Sequence, residues 1–406
     1  MVVDPISVAS SKKSEEDSIY KDSRTEELFR ITRNFKGDND LLITGVPGSG
    51  RYTLIKRATN DIRAKLIEVD CIKAASGIDL VNLLIKGIYK GFGKNYEEII
   101  TQKLGNLSID PESFTPCSVG NISAIQLLPA IKNAEKTLLW EIFDFVVDLP
   151  GLILENSDER VVVILKQISH LRSWDRVTRN KDKNVKHKWE RHLRDKLNQD
   201  PQVSYVILET IAELEEIELE NKDEDGKVFY KDKLFSNAPI KIIELKPISD
   251  NALVYLIDKA LYKNNLKLSE NALEKVLNSV QGHIGSAETL VKRLKLICQP
   301  GTTIDEHQIQ DALNSILNDL STVLESLLTM LPASQLQLIE CLAIEPTPKP
   351  HSKEYRDKYG LARGGTLQGA VKGLQQKGLI YSAEENFQLT LPFFATWIKS
   401  NLYEAC

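Results

Sequence analysis

Short, uniformly apolar runs alternate over the first 250 residues with longer segments whose apolar positions recur at helical spacing. The apolar runs cover residues 41–44, 65–70, 160–165, 203–208 and 240–245. Strands that are apolar on both faces are typical of a parallel sheet with helices packed on each side, because a half-exposed antiparallel strand alternates instead. The pattern therefore predicts an α/β domain built on a five-stranded parallel sheet.

Beyond residue 250 the pattern is helical only. It predicts helices over roughly 250–263, 268–280, 284–297 and 305–330. The last segment then predicts helices over 334–344, 352–359 and 366–376, followed by two strands at 379–381 and 387–391. In the third of these helices Thr366 is the predicted N-cap, and Gly378 ends the helix. Two short helices, a third helix and a hairpin are the order of a winged-helix domain.

Length and composition agree with a multidomain globular protein. The chain has 406 residues, of which 42% are hydrophobic and 27% charged, so we expect two or three domains. A net charge of −5 gives no global attraction to nucleic acid or to an anionic membrane. No apolar run reaches 18 residues, and the five cysteines form no CxxC pair. We expect a cytoplasmic protein without a membrane segment, and a flexible N-terminal tail over residues 1–19.

The clearest chemical signal is the segment GVPGSGRYT at residues 45–53. Its G-x-x-x-x-G spacing, between a predicted strand and a predicted helix, is typical of a phosphate-binding loop whose backbone amides surround an anion. Such loops normally continue with a Lys that reaches the terminal phosphates and a Ser or Thr that binds Mg²⁺. This chain has Arg51 and Tyr52 instead. The predicted nucleotide-binding residues are Gly45, Gly48, Ser49, Gly50, Arg51, Tyr52 and Thr53.

These replacements remove the groups that hold the metal. The planar guanidinium of Arg51 keeps the positive charge but fits a tight loop poorly, and the rigid ring of Tyr52 carries its hydroxyl past a metal. The strand at 160–165 runs into Lys166 and Gln167, where P-loop ATPases carry an Asp for Mg²⁺ and often a Glu for the attacking water. Lysine binds no Mg²⁺ and glutamine accepts no proton. Two interpretations stay open: ATP or ADP binding without metal, in which the charge of Lys166 replaces Mg²⁺, and a purely structural loop.

The order of these parts resembles archaeal and bacterial AAA+ ATPases of the STAND type, relatives of the replication-initiator ATPases. The segments that carry this resemblance are 23–28 before the loop, the strands at 160–165 and 203–208, the sequence IELKPIS at 243–249, GHIGSA at 282–287, and 331–342. The resemblance implies a P-loop NTPase domain over 20–249, a helical lid over 250–330 and a winged helix over 331–406. It also implies a prokaryotic source. Departures are the degenerate Walker A and B motifs, Glu209 after the sensor strand, and the lack of an Arg at Gly285 or Ser286.

A basic run with two tryptophans covers residues 172–194, and a strongly acidic run covers 209–225. The basic run has three interpretations: a surface for nucleic acid or an acidic partner, a solvated segment whose Trp174 and Trp189 anchor it to the core, or a contact with the acidic run of another copy. The candidate contact residues are Arg172, Arg176, Arg179, Lys181, Lys183, Lys186, Lys188, Arg191, Arg194 and Lys372. Lys372 is the single cation of the predicted recognition helix, which favours protein docking over base reading.

Two functions follow from these observations. The favoured one is a catalytically impaired, nucleotide-responsive or nucleotide-free scaffold that docks protein partners through its lid and winged helix. The alternative is a DNA-associated ATPase of the initiator or transposition-regulator type with slow hydrolysis. Either function is compatible with a homo- or hetero-oligomer. The sequence predicts no catalytic residue and no resident metal.

Overall fold

The structure, a computed structural model, describes residues 24–37, 40–105, 114–127, 136–171, 202–209, 217–222, 228–232, 240–383 and 386–404, together with 189, 192–193, 196–197 and 200. The predicted tail over 1–19 lies outside these residues. No helix among the described residues is both long and apolar enough to cross a bilayer.

The five predicted strands form one parallel sheet. They are β1 (Leu41–Gly45), β2 (Lys65–Asp70), β5 (Val161–Lys166), β6 (Val203–Leu208) and β9 (Lys241–Leu245). Their spatial order is β2-β5-β6-β1-β9, and every neighbouring pair is parallel. The prediction of the sheet is confirmed. All five strands therefore direct their carboxyl ends to one edge, where ligands bind in open α/β sheets.

Helices cover both faces of the sheet. They are α1 (Thr25–Lys36), α2 (Arg51–Asp61), α3 (Gly77–Phe92), α4 (Glu97–Gly105) and α5 (Lys136–Leu154). Strand β5 shows why its run is uniformly apolar: Val161, Val163 and Leu165 pack with α3 and α5, whereas Val162 and Ile164 pack with α1 and α2. Each face of the strand is thus buried against its own helical layer.

Two antiparallel hairpins are inserted into this domain, and the sequence pattern did not predict them. One joins β3 (Phe114–Val119) to β4 (Ile122–Leu127), and the other joins β7 (Ile217–Lys222) to β8 (Val228–Asp232). The side chain of Asn82 on α3 holds the first hairpin, because it bonds both the amide and the carbonyl of Leu127. The second hairpin begins inside the acidic run, so part of that run is strand.

The lid follows the sheet and consists of α6 (Asp250–Tyr262), α7 (Glu270–Val280), α8 (Ile284–Ile297) and α9 (Glu306–Thr329). A two-residue parallel pair, β10 (Lys267–Leu268) and β11 (Thr303–Ile304), ties its loops together. Each helix begins at a side-chain cap, supplied by Ser249, Ser269, His283 and Asp305 respectively. The four predicted lid helices are confirmed to within two residues.

The C-terminal domain contains α10 (Ala333–Ile344), α11 (Lys353–Tyr359), α12 (Gly365–Gln376), β12 (Ile380–Ala383), β13 (Asn386–Leu389) and α13 (Pro392–Glu404). One sequence prediction is wrong, and one helix was not predicted. Gly364, rather than Thr366, occupies the N-cap position of α12. A final helix, α13, follows the hairpin.

The lid and the winged helix share one continuous hydrophobic core, which is separate from the two cores of the sheet domain. Helix α9 connects them, and the indole of Trp397 on α13 donates to the hydroxyl of Ser321 on α9 over 3.2 Å. Within the lid, Arg293 on α8 bonds Ser315 and Asp319 on α9. We call this unit, residues 248–398, the lid–winged-helix body.

Candidate nucleotide-binding site

The loop between β1 and α2 has the backbone of a phosphate-binding loop. Gly45, Gly48 and Gly50 all have positive φ angles, of 147°, 83° and 85°. Glycine adopts this backbone region without the steric cost that a Cβ brings. At Gly45 a Cβ would also lie 2.7 Å from the carbonyl oxygen of Leu245 on β9. Gly50 is the N-cap residue of α2, so the first amides of that helix open into the loop.

Arg51 does not extend along the loop. Its guanidinium donates to the backbone carbonyl of Glu209, at the end of β6. The buried carboxylate of Glu209 accepts hydrogen bonds from the amide of Ser169, over 3.0 Å, and from the hydroxyl of Ser169, over 3.2 Å. Arg51 therefore ties the first turn of α2 to the end of β6.

Tyr52 and Lys166 meet at Glu68, an acidic residue of β2 that sequence analysis did not single out. The Tyr52 hydroxyl donates to one carboxylate oxygen of Glu68 over 2.5 Å. The Lys166 ammonium lies 3.1 Å from the other oxygen and 4.2 Å from the centre of the Tyr52 ring. We call these three residues the Tyr52–Glu68–Lys166 cluster. The structure thus brings together the two altered motif positions and joins them through a carboxylate.

The contacts within the cluster shift the pKa values of Glu68 and Tyr52. Burial alone would raise the pKa of Glu68, but the hydrogen bonds from Tyr52 and Lys166 outweigh it and hold that pKa below its ordinary value. Burial, together with the bond to Glu68, raises the pKa of Tyr52. At neutral pH the cluster therefore contains an ionised Glu68 carboxylate and a neutral Tyr52 phenol.

The lid contacts the loop through His283, another residue that sequence analysis missed. Nε2 of this buried imidazole lies 2.5 Å from the carbonyl oxygen of Pro47. Nδ1 accepts the amide of Ser286 over 3.0 Å and lies 2.7 Å from its hydroxyl, so His283 also caps α8. Burial lowers the pKa of His283, although the carbonyl of Pro47 acts in the opposite direction. The one local feature of the sequence that could have pointed to this role is the position of His283 at the N-cap of α8.

Other predicted residues stand as follows. Ser49 is buried, Thr53 is half-buried, and Gln167 has a φ angle of 53° and donates its amide to the carbonyl of Leu208 over 2.9 Å. Lys372 is exposed on α12. The nine cations proposed between Arg172 and Arg194 lie outside the described residues. Among the residues that the structure describes, no group of His, Cys, Asp and Glu is placed to hold a metal ion.

Trp189 belongs to the core. Its ring stacks on Trp140 with centroids 4.1 Å apart and meets Phe143 edge-on at 5.4 Å. The indole also lies against the first residue of α3, because a Cβ on Gly77 would overlap the Trp189 ring. Next to it, His192 bonds Asp144 over 2.5 Å. The packing of Trp189 agrees with the second interpretation, in which the tryptophans lie against the core, and Trp174 lies outside the described residues.

Comparison with known proteins gives a family match for the C-terminal part and a likeness of fold for the chain. Residues 322–400 match a family model described as a probable winged helix domain. No curated protein sequence matches the chain. Among solved structures it is similar to a Walker-type ATPase of Pyrococcus abyssi, with a TM-score of 0.56, 13% identity and coverage of 95% of each chain. It is also similar to a RuvB variant of Thermotoga maritima, at a TM-score of 0.41 and 12% identity over 91% of this chain and 90% of that one.

The RuvB likeness is too low to support an argument. The first likeness shows a shared fold, and the matched winged helix begins nine residues before the boundary predicted at 331. The chain therefore has the fold of a Walker-type P-loop ATPase with a C-terminal winged-helix domain.

Proposed function

We propose that this protein is a catalytically impaired P-loop ATPase that binds ATP or ADP phosphates without Mg²⁺ and works as a nucleotide-responsive scaffold. Protein partners dock on its lid–winged-helix body. The observation that carries the proposal is the Tyr52–Glu68–Lys166 cluster. An ammonium and a phenol stand where a P-loop ATPase has its metal-binding carboxylate and hydroxyl.

Electrostatics oppose a metal in this position. Two unit charges 4 Å apart repel by about 4 kcal/mol at an effective dielectric of 20, and a divalent ion doubles that figure. The carboxylate that would offset the repulsion, Glu68, is already bonded to Tyr52 and Lys166. The residues present therefore do not fit Mg²⁺, and no step of our proposal passes through that ion.

Hydrolysis also needs a group that orients and deprotonates water. Strand β5 ends at Lys166, which Gln167 follows, and neither side chain is a carboxylate. Glu209, which follows β6, accepts two hydrogen bonds from Ser169. These contacts support a site that binds phosphate through loop amides and does not turn it over.

Docking through the C-terminal body is supported by the surface of α12. This helix exposes Gly365, Thr366, Gln368, Gly369, Lys372 and Gln376, and Lys372 is its single cation for contacts with bases or phosphates. A winged helix with such a face is suited to packing against protein. We therefore assign the partner as a protein.

One observation favours the second function, a DNA-associated ATPase. The matched domain belongs to a class that often places a helix in the major groove, and the basic run supplies phosphate-binding cations by its sequence. The salt dependence of DNA binding distinguishes the scaffold function from the DNA-associated one. Affinity for duplex DNA that falls steeply with salt, and is lost when the lysines and arginines of 172–194 are removed, would favour the DNA function.

Calorimetric titration tests the favoured function. ATP and ADP are titrated with Mg²⁺ and again with EDTA, and we expect the same affinity in both buffers. Lys166→Ala should weaken binding, whereas Lys56→Ala is the matched control, since that ammonium lies 5.6 Å from the same Tyr52 ring without a described bond to Glu68. Binding that requires Mg²⁺, or phosphate release abolished by Arg51→Ala, would contradict the proposal.

A further inference from the structure

The lid is hydrogen-bonded to the phosphate-binding loop at two successive peptide units. Nε2 of His283 lies 2.5 Å from the carbonyl oxygen of Pro47, and the amide of Gly285 donates to the carbonyl of Gly48 over 3.0 Å. Nδ1 of His283 accepts the amide of Ser286, which assigns the hydrogen to Nε2 and makes His283 the donor to Pro47. The contact joins residues 236 positions apart in the chain.

These two bonds set the direction of the loop amides. A trans peptide unit is planar, and its carbonyl and amide point to opposite sides. Because the carbonyl of Pro47 points toward the lid, the amide of Gly48 in the same peptide unit points away from the lid. The carbonyl of Gly48 also points toward the lid, so the amide of Ser49 points away from the lid as well. The amide of Ser49 accordingly donates to the carbonyl of Val46 over 3.1 Å.

Packing reinforces the bonds. A Cβ on Gly48 would lie 2.7 Å from the His283 ring, and a Cβ on Gly285 would lie 3.2 Å from the Cα of Gly48. The two backbones therefore approach as closely as glycine allows. Behind His283, Gly282 has a φ angle of 71°, and its carbonyl accepts the amide of Ile248 over 3.0 Å. The entry to α8 is thus fixed on both sides of the histidine.

We infer that His283 is a positioning residue that holds the peptide planes of the phosphate-binding loop, so that a bound diphosphate and the docked lid–winged-helix body stabilise each other. The inference rests on the proposed function for its ligand, a nucleoside diphosphate. Coupling of this kind is reciprocal by thermodynamic necessity. Because lid and winged helix share one core, occupancy of the loop is transmitted to the partner-docking domain as a rigid-body change.

Two substitutions separate positioning from helix capping. His283→Asn keeps a short acceptor for the amide of Ser286, and asparagine is a good N-cap, but its amide cannot reach Pro47. His283→Gln places an N–H at about the distance of Nε2 and is a poor cap. If His283 positions the loop, His283→Gln should stay closer to the wild type than His283→Asn. If His283 only caps α8, His283→Asn should stay closer.

Hydrogen exchange of the full chain gives the first readout. Without nucleotide, we expect the amide of Gly285 to exchange roughly tenfold faster in His283→Asn than in the wild type, the value of one lost hydrogen bond, with His283→Gln close to the wild type. Amides of residues 290–294 report whether α8 stays folded. The opposite ranking, or identical exchange in all three proteins, overturns the inference.

ADP in EDTA gives the second readout. Saturating ADP should slow exchange at Gly285 in the wild type, and His283→Asn should bind ADP up to tenfold more weakly. Bound ADP with unchanged exchange at Gly285 overturns the coupling. Absence of ADP binding refutes the proposed function instead, and the nucleotide-free comparison still decides whether His283 positions the loop.

Discussion

The Lys166 ammonium lies 3.1 Å from a carboxylate oxygen of Glu68, across the pair of parallel strands β5 and β2. Both side chains are about a quarter exposed, at 29% and 27%. The other oxygen of Glu68 accepts the hydroxyl of Tyr52, so both arms of the carboxylate are occupied. The two motif positions that lack a metal ligand, Tyr52 and Lys166, are thereby joined through the carboxylate of Glu68.

Removal of the ammonium should destabilise the protein. We expect Lys166→Met to lower the free energy of unfolding at pH 7 by about 1–2 kcal/mol, discounted for partial exposure, because Glu68 loses its charged partner. The double variant with Glu68→Gln should recover part of this loss. Urea denaturation measures both values. Lys56→Met is the control and should change stability by less than about 0.5 kcal/mol.

Restoring the usual metal-ligand side chains at positions 166 and 52 should create a metal site. Lys166→Asp with Tyr52→Ser supplies a carboxylate and a short hydroxyl beside Glu68, the oxygen donors that Mg²⁺ prefers. We expect Mg²⁺ with ADP to raise the melting temperature of this double variant by several degrees, and to leave that of the wild type unchanged relative to ADP with EDTA. An equal Mg²⁺ effect in both proteins would show that the native cluster already admits the ion.

Acid should weaken the lid through His283. Burial holds the folded pKa of His283 below its ordinary 6.5, so the unfolded chain takes up the proton first as pH falls. The contribution of the neutral imidazole is fully present above pH 6.5 and is lost as pH falls toward the folded pKa, at up to about 1.4 kcal/mol per pH unit. Unfolding free energies between pH 5 and 8 test this. His283→Asn should show a shallower dependence over that range, and parallel curves would contradict it.

Trp189 should contribute to stability and not to nucleic-acid binding. Its ring packs against Trp140 and Phe143, so Trp189→Ala should lower the free energy of unfolding by about 3 kcal/mol. The salt dependence of binding to single-stranded DNA should stay the same, since that slope counts phosphate contacts. Fluorescence anisotropy at several salt concentrations measures it. A stable variant that loses DNA affinity would instead place the indole in a binding surface.

The sequence was sufficient for the architecture because that information is local. Uniformly apolar runs identified all five sheet strands, and helical periodicity identified the lid. The pattern did not predict two strands whose apolar signal is weak. Strand β3 contains Pro116, and β7 lies in an acidic run, where charge outweighs the apolar signal. The N-cap at Thr366 was wrong because the backbone of Gly364 begins α12 without a side-chain cap.

The phosphate-binding loop and its altered chemistry were also readable from spacing alone, since glycine and charge positions in a motif are fixed along the chain. Only the tertiary structure revealed which side chain Tyr52 and Lys166 contact in place of a metal ion. Glu68 and Lys166 lie 98 positions apart, and they meet because β2 and β5 are neighbouring strands in which Glu68 pairs with Ile164, two residues before Lys166. His283 reaches Pro47 because the lid folds back over the sheet edge. Periodicity specifies the elements, but contacts between distant elements depend on how the whole chain packs.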